Sequence, residues 1–144
     1  MDLRAVALPI GRLLILISLF MTIPAAVDLV AGNPDWIVFL ASALVTGCIG
    51  CVATAAFLRS ASRFNTRETL VFVNAAWIVF GLAGALPLWL SGLKISFVDA
   101  VFEAISGLTT TGATVLTGLD AMPPGILLWR SLLQWIGGIC IVVL

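Results

Sequence analysis

Four apolar stretches of about 20 residues, separated by short polar turns, leave this 144-residue chain few ways to fold. They run from about Leu8 to Leu29, Trp36 to Leu58, Thr69 to Leu90 and Gly125 to Leu144. A bilayer core about 30 Å thick takes about 20 helical residues to cross, so each stretch predicts a membrane-spanning helix. The proportions agree: 10% of residues are charged, against about 25% in soluble domains. Pro24 predicts a kink near the far end of the first span. That span runs on from Leu13 to Val30 without a clean A-x-A site, which predicts a retained helix rather than a cleaved signal peptide.

Charge and residue types exclude several functions. Seven basic and seven acidic residues balance, leaving no basic field for nucleic acid. The sequence has no histidine, which removes His-based acid–base chemistry and His metal sites. Cys48 and Cys51 form a C-x-x-C inside an apolar run, and Cys140 stands apart. With no second pair to complete a zinc site, these predict small packed helix residues. The few acids lack paired spacing for proton transfer or metal binding, so the chain reads as a non-enzyme without a cofactor.

Orientation follows the arginines. Arg4, Arg12, Arg59, Arg63 and Arg67 fall at the N-terminus or between the second and third spans, and residues 31–35 have none. The positive-inside rule places the N-terminus in the cytoplasm, so residues 91–124 begin and end on the outer side. In the second span, Ser42, Thr46, Gly50 and Thr54 form a stripe of small residues, with a parallel one at Ala43, Gly47, Cys51 and Ala55. Such stripes let helices approach closely, within the chain or against a partner.

Residues 91–124 depart from the spanning pattern. Phe97–Leu108 is apolar and helical in pattern, but twelve residues reach only about 18 Å. Ser96 and Asp99 form an S-x-x-D helix start. The helix runs into Thr109-Thr110-Thr111-Gly112-Ala113-Thr114, a poor helix and a poor lipid-facing strand. A short helix followed by irregular backbone between full spans predicts a re-entrant loop, buried in protein or lining water. Inward carbonyls there can replace the hydration shell of a potassium ion, glycine opens the backbone angles required, and the negative end of the short helix points at the cation. A plain polar outer loop is the alternative, opposed by the capped helix before it.

The run from Ala104 to Thr114 (AISGLTTTGAT) resembles the first pore loop of the Trk/Ktr/HKT potassium-transporter superfamily. Residues 128–138 (LWRSLLQWIGG) resemble the helix that follows it in the TrkH/TrkG branch, and Gly84-Ala85-Leu86-Pro87 also matches. The resemblance implies an all-α integral membrane protein of four transmembrane helices plus one re-entrant pore helix and filter loop. It divides the chain into a two-helix extension, residues 1–66, and a first helix–pore loop–helix repeat, residues 67–144. It implies potassium uptake across the bacterial inner membrane, with the carbonyls of Thr110, Thr111, Gly112 and Ala113 lining the path and Thr109 and Thr114 flanking it. It also implies a cytosolic nucleotide-binding regulatory subunit, a homodimer, and four repeats around one pore. One repeat cannot enclose a path, so the chain reads as part of a longer protein or as one of four copies; the non-transporting alternative is a membrane anchor packing through its small-residue faces.

Two charges carry a further expectation. Glu103 in the short helix and Arg130 in the last span each need a partner or water, since an unpaired charge at mid-bilayer costs roughly 2.5–3.5 kcal/mol. They either pair, in which case a charge exchange should rescue the single swaps, or snorkel separately. Asp99 and Asp120 read as a helix cap and a solvated loop residue, or as cation-gathering charges at the outer mouth.

Overall fold

The computed structural model describes residues 3–58 and 65–143, with side chains from 6–58 and 65–140. The chain is all-helical there: α1 (Leu3–Ala31), α2 (Trp36–Phe57), α3 (Thr66–Leu90), α4 (Phe97–Leu108), a 3-10 turn (Leu119–Ala121) and α5 (Pro124–Val143). Three helices, over Val6–Ala31, Trp36–Phe57 and Thr66–Leu90, are long and apolar enough to cross a membrane. The protein is a multi-pass integral membrane protein, and exposed Leu44, Val45, Ile49 and Val52 on α2 are a surface for lipid or protein rather than water. Arg59 and Arg63, used for the orientation expectation, lie outside the described residues.

Local chemistry sets the helix boundaries. Asn65 Oδ1 accepts from the Thr66 N–H at 2.7 Å and the Asn65 N–H donates to Glu68 Oε2 at 3.1 Å, closing a capping box on α3. The same device starts α4: Ser96 Oγ accepts from the Asp99 N–H at 3.1 Å, and Asp99 Oδ2 accepts from the Ser96 N–H at 3.2 Å. Asp99 is therefore a cap, and Asp120 is an exposed residue of the 3-10 turn. Pro24 lies within α1, which continues through it.

The small-residue stripe of α2 turns inward. Ser42, Ala43, Thr46 and Gly50 are buried, and a Cβ on Gly50 would sit 2.7 Å from the Gly11 carbonyl of α1. A Cβ on Gly47 would sit 3.0 Å from Ser18 Oγ of α1. Helices α1 and α2 therefore pack antiparallel at near backbone contact. Cys48 and Cys51 correct the expectation of packed thiols: both are exposed on this chain.

One core joins all five helices, drawing on Ile17 and Met21 of α1, Phe39 of α2, Leu88 of α3, Ala104 of α4 and Trp129 of α5. Trp129 is fully buried, meets Phe39 edge-to-face at 6.3 Å and donates from Nε1 to the Gly84 carbonyl at 2.9 Å. The ladder bond that Pro87 cannot donate would have gone to the next carbonyl along, that of Ala83. Helix α4 runs back alongside the end of α3, placing Ile105 against Gly81, and stops where Leu108 meets Gly137 of α5. At 1.5 Å per residue that point is about 20 Å along α5 from Pro124.

Candidate functional site

The Thr109–Thr114 loop takes its shape from the unsatisfied carbonyls that end α4. The Thr110 N–H donates to the Gly107 carbonyl at 2.9 Å, and the Thr111 N–H donates to the Ser106 carbonyl at 3.0 Å. This bond pair is a Schellman ending, whose pivot residue adopts left-handed backbone angles and is usually glycine. Here the pivot is Thr110, at φ 56. A β-branched residue in that region is strained, and such strain concentrates at functional sites. Gly112 also has positive φ, at 75, whereas Thr111 between them does not. The chain therefore reverses its peptide planes within three residues, a geometry open to glycine and held at Thr110 by the helix end.

The consequence is a row of free acceptors. Among the described residues no hydrogen bond reaches the carbonyls of Thr110, Thr111 or Gly112. The Ala113 carbonyl accepts from the Ser106 hydroxyl at 2.6 Å. Thr109 Oγ1 donates back to the Ile105 carbonyl at 2.8 Å, and the Thr111 hydroxyl lies 2.8 Å from it. All six residues from Thr109 to Thr114 are exposed on this chain.

Glu103 holds the outgoing side of the loop. Its carboxylate is 1% exposed. Oε1 accepts from the Thr114 hydroxyl, from the Val115 N–H at 2.6 Å and from the Leu116 N–H at 3.3 Å. Oε2 accepts from Arg130 Nε at 3.0 Å, so Glu103 and Arg130 are brought together as an ion pair. A charge this buried is stable only when paired and fully hydrogen-bonded. Glu103, Ser106, Thr114, Arg130 and Gln134 line a cavity of about 270 Å³ between the loop and α5.

Two further residues had gone unread in the sequence. Gly137 touches the end of α4 so closely that any Cβ would overlap the Leu108 backbone. Asp28, in α1, is fully buried, and its Oδ1 accepts from the Gly125 N–H at 2.8 Å. It satisfies one of the free donors at the start of α5. The signal for Asp28 was an acid inside an apolar span, which by default marks a structural or functional partner. Replacing Asp28 by Ala should lower the unfolding free energy of the protein in detergent by about 1–2 kcal/mol, the usual loss on removing a helix cap, and Asp28→Asn by less. An Ala variant as stable as the parent would show that α5 does not depend on this cap.

A family model described as TrkH, cation transport protein, matches residues 37–144. The chain belongs to the TrkH family. The Trk system potassium uptake protein TrkH of Halomonas elongata is 41% identical over 145 residues, covering 100% of this chain and 30% of its own length. The Trk system potassium uptake protein TrkG of Escherichia coli K12 is 37% identical, covering 98% of this chain and 29% of its own length. The crystal structure of the potassium transporter TrkH from Vibrio parahaemolyticus superimposes with a TM-score of 0.94 at 38% identity, over 99% of this chain and 31% of that one. The chain thus spans about 30% of the length of these TrkH-family relatives. The resemblance read from residues 104–114, residues 128–138 and residues 84–87 holds at the family level, and so does its TrkH/TrkG branch.

Proposed function

We propose that this chain supplies one helix–pore loop–helix repeat, and with it one quarter of the selectivity filter, of a potassium-uptake pore in the bacterial inner membrane. The observation that carries this reading is the row of unpartnered carbonyls at Thr110, Thr111 and Gly112, set at the end of a twelve-residue helix. In this reading α5 is the fourth span, α4 is the re-entrant pore helix, and residues 67–144 form the repeat beside a two-helix extension, residues 1–66. The carbonyls of Thr110, Thr111, Gly112 and Ala113 replace water around a dehydrating cation, with Thr109 and Thr114 at the flanks. The negative end of α4 favours the cation from behind. Transport needs no covalent chemistry and no cofactor; potassium is the cargo.

The remaining walls come from further repeats or further copies of this chain. By family resemblance the assembled transporter is a homodimer on a cytosolic nucleotide-binding ring, with the N-terminus of this chain in the cytoplasm. The names of the relatives support potassium as the ion. The anchor alternative is not favoured: Ser42, Ala43, Thr46 and Gly50 of α2 are buried inside the chain, and the relatives are named as potassium-uptake proteins.

Gly112→Ser tests the reading. A Cβ at Gly112 meets nothing within 4 Å on this chain, so its effect comes from the backbone, where φ +75 is disfavoured for any L side chain. Left-handed angles cost about 1–2 kcal/mol for such residues, enough to reorient the carbonyls. In the assembled transporter the potassium-to-sodium permeability ratio should fall by on the order of tenfold. An unchanged ratio removes the filter assignment.

A further inference from the structure

We infer that Ser106 is a specificity-determining positioning residue, its hydroxyl setting the direction of the Ala113 carbonyl at one end of the loop's carbonyl row. The inference rests on the filter reading above. A serine inside a helix ordinarily turns its hydroxyl back to a carbonyl three or four residues earlier. Other helical serines here do so: Ser18 donates to the Ile15 main-chain oxygen and Ser131 to that of Leu127. Ser106 instead reaches forward seven residues, across the loop, to the Ala113 carbonyl at 2.6 Å. It does so from a buried donor, Ser106 being 6% exposed, to an acceptor on the open side of the loop.

The same residue holds the loop twice more. Its main-chain carbonyl accepts from the Thr111 N–H at 3.0 Å and from the Gly112 N–H at 3.3 Å. Those two bonds belong to the backbone and survive any change of side chain. Ser106 therefore separates two roles: its carbonyl reverses the chain, and its hydroxyl orients one ligand group. The carbonyls of Thr110, Thr111 and Gly112 carry no such tether among the described residues. An Ala113 carbonyl freed from Ser106 can swing toward a smaller ion, so its release should favour sodium relative to potassium.

The experiment measures potassium-to-sodium permeability ratios in the assembled transporter carrying Ser106→Ala, Ser106→Cys or Ser106→Thr, each normalised to protein in the membrane. Ser106→Ala removes the donor; Ser106→Cys fills the same space with a much weaker one, and serves if the Ala protein fails to accumulate. Both should lower the ratio by roughly five-fold, the change that about 1 kcal/mol makes at 25 °C. Ser106→Thr keeps the hydroxyl and should restore most of the ratio. A loss of transporter with no change in ratio for either Ala or Cys would make Ser106 a packing residue and overturn the inference. Gly112→Ser, run in parallel, separates the two readings. If it shifts the ratio while the Ser106 variants do not, only the Ser106 inference falls; if none shifts it, the filter reading falls as well.

Discussion

Glu103→Ala should be strongly damaging, lowering the unfolding free energy of the protein in detergent by roughly 3–5 kcal/mol and, on the proposed filter reading, abolishing potassium-selective uptake by the assembled transporter. The residue is buried and serves four donors at once: the Thr114 hydroxyl, the Val115 and Leu116 N–H groups and Arg130 Nε. Truncation leaves the Val115 N–H without an acceptor and strands the guanidinium of Arg130, whose side chain is only 21% exposed. Breaking one side of a buried pair is far worse than never having built it. Glu103→Gln should fall between, since an amide oxygen can still serve Thr114 and Val115 while its NH₂ faces another donor at Arg130. Charge exchange sharpens the point. If Glu103 did nothing but pair with Arg130, the double swap would rescue both single swaps. An arginine at 103 has no acceptor for the loop N–H groups, so the double swap should stay close to the Glu103 single swap in uptake assays. Full rescue would reduce Glu103 to an ion-pair partner alone.

The second large effect is expected at Gly137, with its neighbour as the control. A Cβ on Gly137 would overlap the carbonyl and Cα of Leu108, the buried last residue of α4. Backbone gives way less readily than a side-chain tip, so Gly137→Ala must push α4 and α5 apart. Overpacking of this kind costs about 1–3 kcal/mol. It also moves the helix end on which the Thr110–Gly112 reversal is built. Gly138→Ala should be tolerated, because its nearest contact is Thr110 Cγ2 at 3.9 Å, and alanine favours the helix by up to about 1 kcal/mol over glycine. The two variants differ by one position and by the same methyl group. Comparing their unfolding in detergent and their potassium-to-sodium ratios isolates the contact itself; equal behaviour would show that α4 and α5 have room to separate.

Much of the architecture was legible in the residue pattern. Three apolar stretches read as spans became α1, α2 and α3, and Asn65 with Glu68 starts α3 three residues before the apolar run begins. Phe97–Leu108 was legible to the residue, because its Ser96–Asp99 box is local chemistry. The stripe of small residues on α2 was legible too, but its partner was not. A stripe says only that something approaches closely, and that α1 does so depends on Gly11 and Ser18 coming alongside.

The loop divides along the same line. Local sequence decided that the chain could not remain helical from Thr109 to Thr114, since threonines and a glycine follow a capped helix too short to span. It also decided that Gly112 would take angles closed to other residues. The helix end placed Thr110 in the same region by local bonds, its own N–H to Gly107 and that of Thr111 to Ser106, and what lies beyond that range was left to the tertiary structure. It alone decided that Glu103 faces Arg130 and the loop together, across 27 residues in one direction and about a dozen in the other. It alone paired Asp28 with Gly125, 97 residues away. The physical reason is range. Caps, spans and glycine turns are set by neighbours within about one helical turn, whereas a buried carboxylate finds its donors only once separate helices have packed and excluded water.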